Sequence, residues 1–155
     1  MKRLLSCLVM VAAVATTTST FAADLSPAAN DKLAPARQKI EAQQWGPAID
    51  ELRRINDPAS ADWNNLMGYS LRKQATPDYP AAARFYDEAL KIDPKHRGAL
   101  EYSGELALIT GDLPKAEERL ATLDKACRFS CEEYRDLKRS VERYKANGNK
   151  YVAAQ

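Results

Sequence analysis

The chain has 155 residues, among them 23 Lys and Arg, 21 Asp and Glu, one histidine and three cysteines, and its formal net charge is +2. Lys2 and Arg3 account for this excess, because the rest of the chain carries 21 basic (23 − 2) and 21 acidic residues. This balance argues against nucleic acid or an anionic membrane as the partner, since both attract a basic excess. The single histidine and few cysteines argue against a metal centre or a histidine-dependent triad. We therefore expect a non-enzymatic protein without a metal or other cofactor.

The first 22 residues have the three-part order of a secretory signal peptide. Lys2 and Arg3 precede an apolar run over residues 4–15, and small residues follow up to a cleavage site after Ala22. The alternative is a membrane anchor, but the run has 12 residues and a spanning helix needs about 20. We expect export to the periplasm, or secretion as the alternative, without membrane insertion after cleavage.

The remaining chain predicts seven helices, separated by Gly and Pro, with almost no strand-like alternation of apolar residues. The predicted helices cover about 26–43, a segment after Gly46, 59–75, a segment from Tyr79 to Asp93, 95–109, 114–126 and a segment after Ser130.

The helices come in pairs that repeat along the chain. Two ladders of residues recur at a step of 34: Trp45, Tyr79 and Leu113, and Ala48, Ala82 and Ala116. Antiparallel helices approach closely only where small side chains meet. We therefore expect Gly68 to face Ala82, and Gly104 to face Ala116.

These segments resemble a known repeat family. The sequence DYPAAARFYDEALKIDPKH resembles the second half of a tetratricopeptide repeat, NNLMGYSLRK resembles its first half, and ALEYSGELALITGDLPKAEERL is similar to a further repeat. The resemblance implies an all-α fold, a short right-handed α-solenoid of three helix pairs with a capping helix. Together with the signal peptide (1–22), the predicted organisation is a degenerate repeat (26–58), two further repeats (59–94 and 95–128) and a capping helix (130–145), followed by residues 146–155, which are expected to form a flexible tail.

The last predicted helix is amphipathic. Tyr134, Leu137, Val141 and Tyr144 fall on one face, which suits a helix that closes the end of a solenoid. Ser130, three residues before Glu133, has the spacing of a capping box.

Two cysteines remain after signal cleavage. Cys127 would end the sixth helix, and Cys131 would begin the seventh. In an oxidising compartment an isolated pair of this kind is usually a disulfide. The alternative is a thiol-redox or copper-binding pair, for which thiolates are required.

The family resemblance also implies a function. The first helices of the pairs would line a concave groove that binds a protein or an extended peptide in the cell envelope. Carried onto this chain, the groove would be lined by Leu33, Arg37, Asn65, Tyr69, Arg72, Lys73, Glu101, Glu105 and Leu108. Its charge would change from basic in the middle repeat to acidic in the third. The expected function is a periplasmic interaction scaffold, and the alternative is a small periplasmic thiol-redox or copper-handling protein.

Overall fold

The computed structural model describes residues 31–128 and 130–152, and within them the chain forms seven helices and no strands. The helices are α1 (Ala34–Glu41), α2 (Trp45–Ile55), α3 (Ala61–Lys73), α4 (Tyr79–Ile92), α5 (Arg97–Ile109), α6 (Leu113–Ala126) and α7 (Glu132–Ala146). The predicted all-α class is confirmed. The predicted signal peptide and residues 26–30 of the first predicted helix lie outside the described residues. Among the helices described, none is long and apolar enough to cross a membrane.

The second helices of two pairs begin in the same way. Asp78 and Asp112 are the N-cap residues of α4 and α6, and each carboxylate accepts a hydrogen bond from the backbone N–H three residues later, at 2.9 and 3.0 Å. Pro80 and Pro114 follow in the first turn, where the backbone N–H that proline lacks would have no partner within the helix. The corresponding residue of α2, Gln44, makes no side-chain cap, in agreement with the weaker resemblance of the first repeat.

The helices form an all-α solenoid, as the sequence predicted. The pairs α1–α2, α3–α4 and α5–α6 each pack together, α2 packs against α3, and α4 packs against α5. Helix α7 then packs on α5 and α6 and buries Leu137, Val141 and Tyr144 against them. Because α3 also touches α5, the helices α3, α5 and α7 lie side by side.

Gly68 permits the close approach of α3 and α4. A Cβ atom at this position would lie 2.8 Å from the ring of Tyr86 and 3.1 Å from the carbonyl oxygen of Ala82. Such distances are too short for a side chain, so Gly68 faces Ala82 as predicted.

Gly104 has a different neighbour from the one that the repeat predicted. A Cβ atom here would lie 2.6 and 2.7 Å from the two methyl groups of Leu137 on α7. The expected contact with Ala116 of α6 is therefore wrong as the reason for this glycine. The glycine instead makes room for the helix that closes the solenoid.

The start of α7 also differs from the sequence prediction. Its N-cap residue is Cys131, which has an extended backbone and makes no side-chain cap. Ser130 lies one residue too early to cap the helix, so the predicted capping box with Glu133 does not form. The helix continues to Ala146, one residue beyond its predicted end.

Candidate functional site

Three half-buried aromatic rings, one from each of the three repeats, form a strip. The rings of Tyr69 on α3 and Tyr102 on α5 have centroids 4.6 Å apart, and Trp45 contacts Tyr69 edge-on at 5.8 Å. We call these three residues the aromatic strip. Burial raises the pKa of both tyrosine hydroxyls, so both stay protonated and can donate hydrogen bonds at neutral pH.

Arg72 lies beneath this strip and ties the two repeats together. Its guanidinium carbon lies 5.5 and 5.4 Å from the ring centroids of Tyr69 and Tyr102, within the range of cation–π attraction. Its Nη1 atom donates to Oε2 of Glu105 at 2.8 Å, across 33 residues of sequence. Burial opposes its charge, but Tyr86 and Glu105 hold the pKa of Arg72 above its ordinary value.

The charge pattern expected for the groove is therefore different in the structure. Arg72 is only 7% exposed and its charge is paired with Glu105. The basic middle and the acidic third repeat neutralise one another at this point, because the two side chains meet between adjacent helices. Lys73, which is exposed at the end of α3, is the basic side chain that a ligand could reach here.

An acidic pocket opens between α5 and α7 at one end of the aromatic strip. It is lined by Glu101, Tyr102, Glu132, Glu133 and Asp136. Glu101 is 9% exposed. Burial first, and then the carboxylates of Glu105, Asp136 and Glu133, raise the pKa of Glu101 to about 8.

A second pocket opens at the other end of the strip, between α1, α2 and α3. Its lining residues are Ile40, Glu41, Gln43, Trp45, Tyr69 and Lys73. Tyr69 thus belongs to this pocket, and Tyr102 belongs to the acidic pocket. We call the continuous surface of this pocket, the aromatic strip and the acidic pocket the groove face.

Five of the nine predicted groove residues contribute to the groove face. Tyr69, Arg72, Glu105 and Glu101 lie at or beneath its centre, and Lys73 lies in the pocket beside α1. The family resemblance placed these residues together although they belong to different repeats.

The other four predicted groove residues have different positions. Leu33 packs in the core of the first two repeats, and Leu108 is 1% exposed in the core formed by α5, α6 and α7. Both predictions were wrong, because these side chains complete the packing between helices. Asn65 is buried. Arg37 pairs with Asp31 and Asp62 at the N-terminal end of the solenoid, at 3.4 and 3.3 Å.

Sequence reasoning missed several residues of the groove face. Trp45 was predicted only as one member of the 34-residue ladder, and Tyr102 and Asp136 were not predicted as site residues. The available signal was the odd number of helices. If α7 is treated as the first helix of an incomplete further pair, then Glu133 and Asp136 belong to the row that continues from α3 and α5.

Cys127 and Cys131 lie at the corner between α6 and α7. Their sulfur atoms are 2.05 Å apart, which is the disulfide distance, with the Cα atoms 5.8 Å apart. In this form neither sulfur is the thiolate that copper binding or thiol exchange requires. In residues 31–128 and 130–152, no three His, Cys, Asp or Glu side chains are grouped so that they could hold a metal ion.

Comparison with known proteins identifies the repeat. The family model described as tetratricopeptide repeat matches residues 76–141, from the approach to α4 into α7. No curated protein sequence matches the chain.

Several solved structures have a similar fold. The Yersinia enterocolitica type III secretion chaperone SycD, in complex with a peptide of the translocator YopD, is 17% identical, with a TM-score of 0.62 over 79% of this chain and 96% of that chain. PcrH, in complex with the chaperone-binding region of PopD, is 19% identical, with a TM-score of 0.64 over 81% and 97%. The Sgt2 TPR domain from Aspergillus fumigatus is 15% identical, with a TM-score of 0.65 over 84% and 89%. At these identities, the likeness shows the fold.

Proposed function

We propose, from the premise that the chain is a tetratricopeptide repeat protein, that it is a non-enzymatic scaffold that binds an extended segment of a partner protein along the groove face. The observation that carries this proposal is the pair of half-buried rings, Tyr69 and Tyr102, in contact across two repeats. Tyrosine supplies large, rigid contact area at a low entropy cost and is enriched among residues that anchor interfaces.

The strip is held in place before any ligand binds. The buried Arg72–Glu105 pair connects α3 to α5, and Tyr86 packs under Tyr102 with a centroid distance of 6.4 Å. A surface that is already ordered loses little conformational entropy on binding. The fixed geometry therefore favours recognition of a flexible partner segment by a rigid protein.

The two pockets give the groove face a direction. Lys73 and Trp45 lie at one end, where Glu41 balances the charge of Lys73, and the carboxylates of the acidic pocket lie at the other. Complementary charge fixes the orientation of a bound chain more than it adds to affinity. We propose that the bound segment has an acidic or C-terminal group near Lys73, apolar side chains over the strip and a basic region near α7.

The structural neighbours support a peptide or protein segment as the ligand. Two of them are complexes: the type III secretion chaperone SycD with a peptide of the translocator YopD, and PcrH with the chaperone-binding region of PopD. The same fold in this chain supports a similar kind of partner.

We place this activity in the cell envelope, with export to the periplasm by the predicted signal peptide 1–22 and secretion as the alternative. The three-part order of residues 1–22 supports this location, and a disulfide between Cys127 and Cys131 would persist in such an oxidising compartment.

Site-specific crosslinking tests the proposed function. A photo-crosslinking amino acid replaces Lys73, which is exposed beside Tyr69, and in a matched protein it replaces Lys125, which is exposed on α6. We expect crosslinks from position 73 to one short segment of one envelope protein, identified by mass spectrometry, and no such crosslinks from position 125. Equal labelling from both positions, or labelling from 125 alone, would contradict binding on the groove face.

A further inference from the structure

The acidic pocket contains the carboxylate of a largely buried glutamate that has no cation paired with it. Glu101 is nine-tenths buried and lines the pocket together with Tyr102 and three acidic side chains of α7. Among the described residues, Glu101 makes no hydrogen bond and no ion pair. Burial of an unpaired ionised carboxylate is costly, so a cation that enters the pocket would favour the ionised form of this side chain.

The basic side chains near this pocket are engaged elsewhere. Arg72 donates to Glu105 at 2.8 Å, and Arg97 lies 3.7 Å from the carboxylate of Glu133. Arg139 forms an ion pair with Asp136, one helical turn away on α7. Each of these cations pairs with a neighbour of Glu101 rather than with Glu101 itself.

The wall of the pocket suits an organic cation. Tyr102 lines it and has a hydroxyl oxygen that can accept a hydrogen bond from an ammonium or guanidinium group, while the guanidinium of Arg72 already lies 5.4 Å from the centroid of its ring. Tyr102 is also part of the aromatic strip, so the pocket is continuous with the surface along which we expect the partner segment to lie.

We propose that the acidic pocket is a subsite for one cationic side chain, a lysine or arginine of the bound partner segment, and that Glu101 is its ion-pair partner. This inference deepens the proposed function and rests on it for the source of the cation. The chemistry of the subsite, the carboxylate of a largely buried glutamate beside Tyr102, can be tested separately.

The subsite has a distinctive pH dependence. Because burial and its neighbours raise the pKa of Glu101 to about 8, the free protein holds a proton there at neutral pH. A bound cation favours the ionised form, so binding releases this proton. The groups that face Glu101 are Glu105 and Tyr102 on α5, Arg72 on α3, and Glu132, Glu133 and Asp136 on α7.

The test uses the mature protein, residues 23–155, and small capped amino acids as probes. N-acetyl-arginine amide, N-acetyl-lysine amide and the neutral N-acetyl-norleucine amide are titrated while backbone amide signals are followed by NMR. We expect both cationic probes, and not the neutral one, to shift the amides of Glu101, Tyr102 and Asp136. We also expect the affinity for the arginine probe to rise more than about tenfold between pH 6 and pH 9.

Glu101→Gln keeps the size of the side chain and removes its charge, so we expect it to weaken the arginine probe at pH 9 about tenfold or more and to abolish the pH dependence. The matched control is Glu142→Gln. Glu142 is exposed on α7 outside the pocket and pairs with Lys138 at 3.9 Å. This variant should bind like the unmodified protein. An unchanged affinity in Glu101→Gln, or equal shifts with the norleucine probe, would overturn the subsite.

Two further outcomes separate this inference from the proposed function. If the arginine probe binds as described while crosslinking from position 73 finds no partner segment, the subsite stands and the proposed function fails. If crosslinking succeeds and the probes do not bind, the subsite fails alone. Binding of spermidine in the absence of binding by either cationic amino acid would overturn the assignment to a peptide side chain in favour of a free polyamine.

Discussion

The position of α7 predicts the effect of enlarging Gly104. In Gly104→Ala, the new Cβ would lie 2.6 and 2.7 Å from the methyl carbons of Leu137 and 3.3 Å from its Cγ. Leu137 is fully buried and has little room to move. Overpacking of this kind costs about 1–3 kcal/mol, and the replacement of glycine by alanine within a helix returns up to about 1 kcal/mol. We therefore expect a net loss of about 1 kcal/mol in the free energy of unfolding, measured by urea denaturation, and a larger loss for Gly104→Leu.

A double-mutant cycle identifies the cause of this loss. In a Leu137→Ala background the methyl groups that clash are absent, so Gly104→Ala should become neutral or stabilising. Gly46→Ala is the matched control, because a Cβ atom at this helical glycine would meet nothing within 4 Å. An equal loss from Gly104→Ala with and without Leu137 would refute the contact between α5 and α7, and no loss at all would refute the close approach.

Three other changes test the site and its surroundings. The pKa of Glu101 is raised from 4.5 to about 8, so its contribution to stability is fully present below pH 4.5 and is lost as the pH rises through 8. At pH 9, Glu101→Gln should therefore be about 2 kcal/mol more stable than the unmodified protein in urea denaturation, which is somewhat less than half of the free energy that corresponds to the full pKa shift. At pH 4 the variant should show no gain in stability. His96 Nδ1 accepts a hydrogen bond from the backbone N–H three residues later at 3.0 Å, and its Nε2–H donates to Asp62 at 2.9 Å. His96→Ala should therefore lower the free energy of unfolding by about 1–2 kcal/mol. His96→Asn should recover the part of this loss that comes from the N-cap. Replacement of Cys127 and Cys131 by serine should cost about 2 kcal/mol or less, because the closed loop is short, while affinity for the partner segment changes by less than about threefold; loss of binding by a stable variant would instead make the pair functional.

The parts of the fold that depend on local chemistry were predictable from the sequence. Asp78 and Asp112, each followed two residues later by proline, specify the start of α4 and α6 within a few residues of chain. The glycine at position 68 identified a tight helix contact because its neighbours recur at the step of the repeat. His96 escaped notice as the N-cap of α5, since histidine is not among the usual capping residues.

The electrostatics of the groove face could not be predicted in the same way. The charge of Arg72 is cancelled by a residue 33 positions away, and the environment of Glu101 depends on carboxylates from α7. Whether Leu108 lines a groove or a core depends on where α7 packs. Each of these features is fixed by the contact between two helices, and the period of a repeat does not specify the side chains that meet there.

The central claim is that a partner segment binds along the groove face. The most direct test measures how tightly the crosslinked segment, synthesised as a labelled peptide, binds to the unmodified protein, to Tyr69→Ala and to Ile92→Ala. Tyr69→Ala removes the ring at the centre of the strip and leaves the buried Arg72–Glu105 pair in place. We expect it to weaken binding about thirtyfold, which corresponds to about 2 kcal/mol, while the circular dichroism spectrum stays helical. Ile92→Ala, which truncates an exposed apolar side chain on α4 outside this face, should bind within about twofold of the unmodified protein. Normal binding by Tyr69→Ala together with a loss in Ile92→Ala would contradict the account and place recognition on the other side of the solenoid.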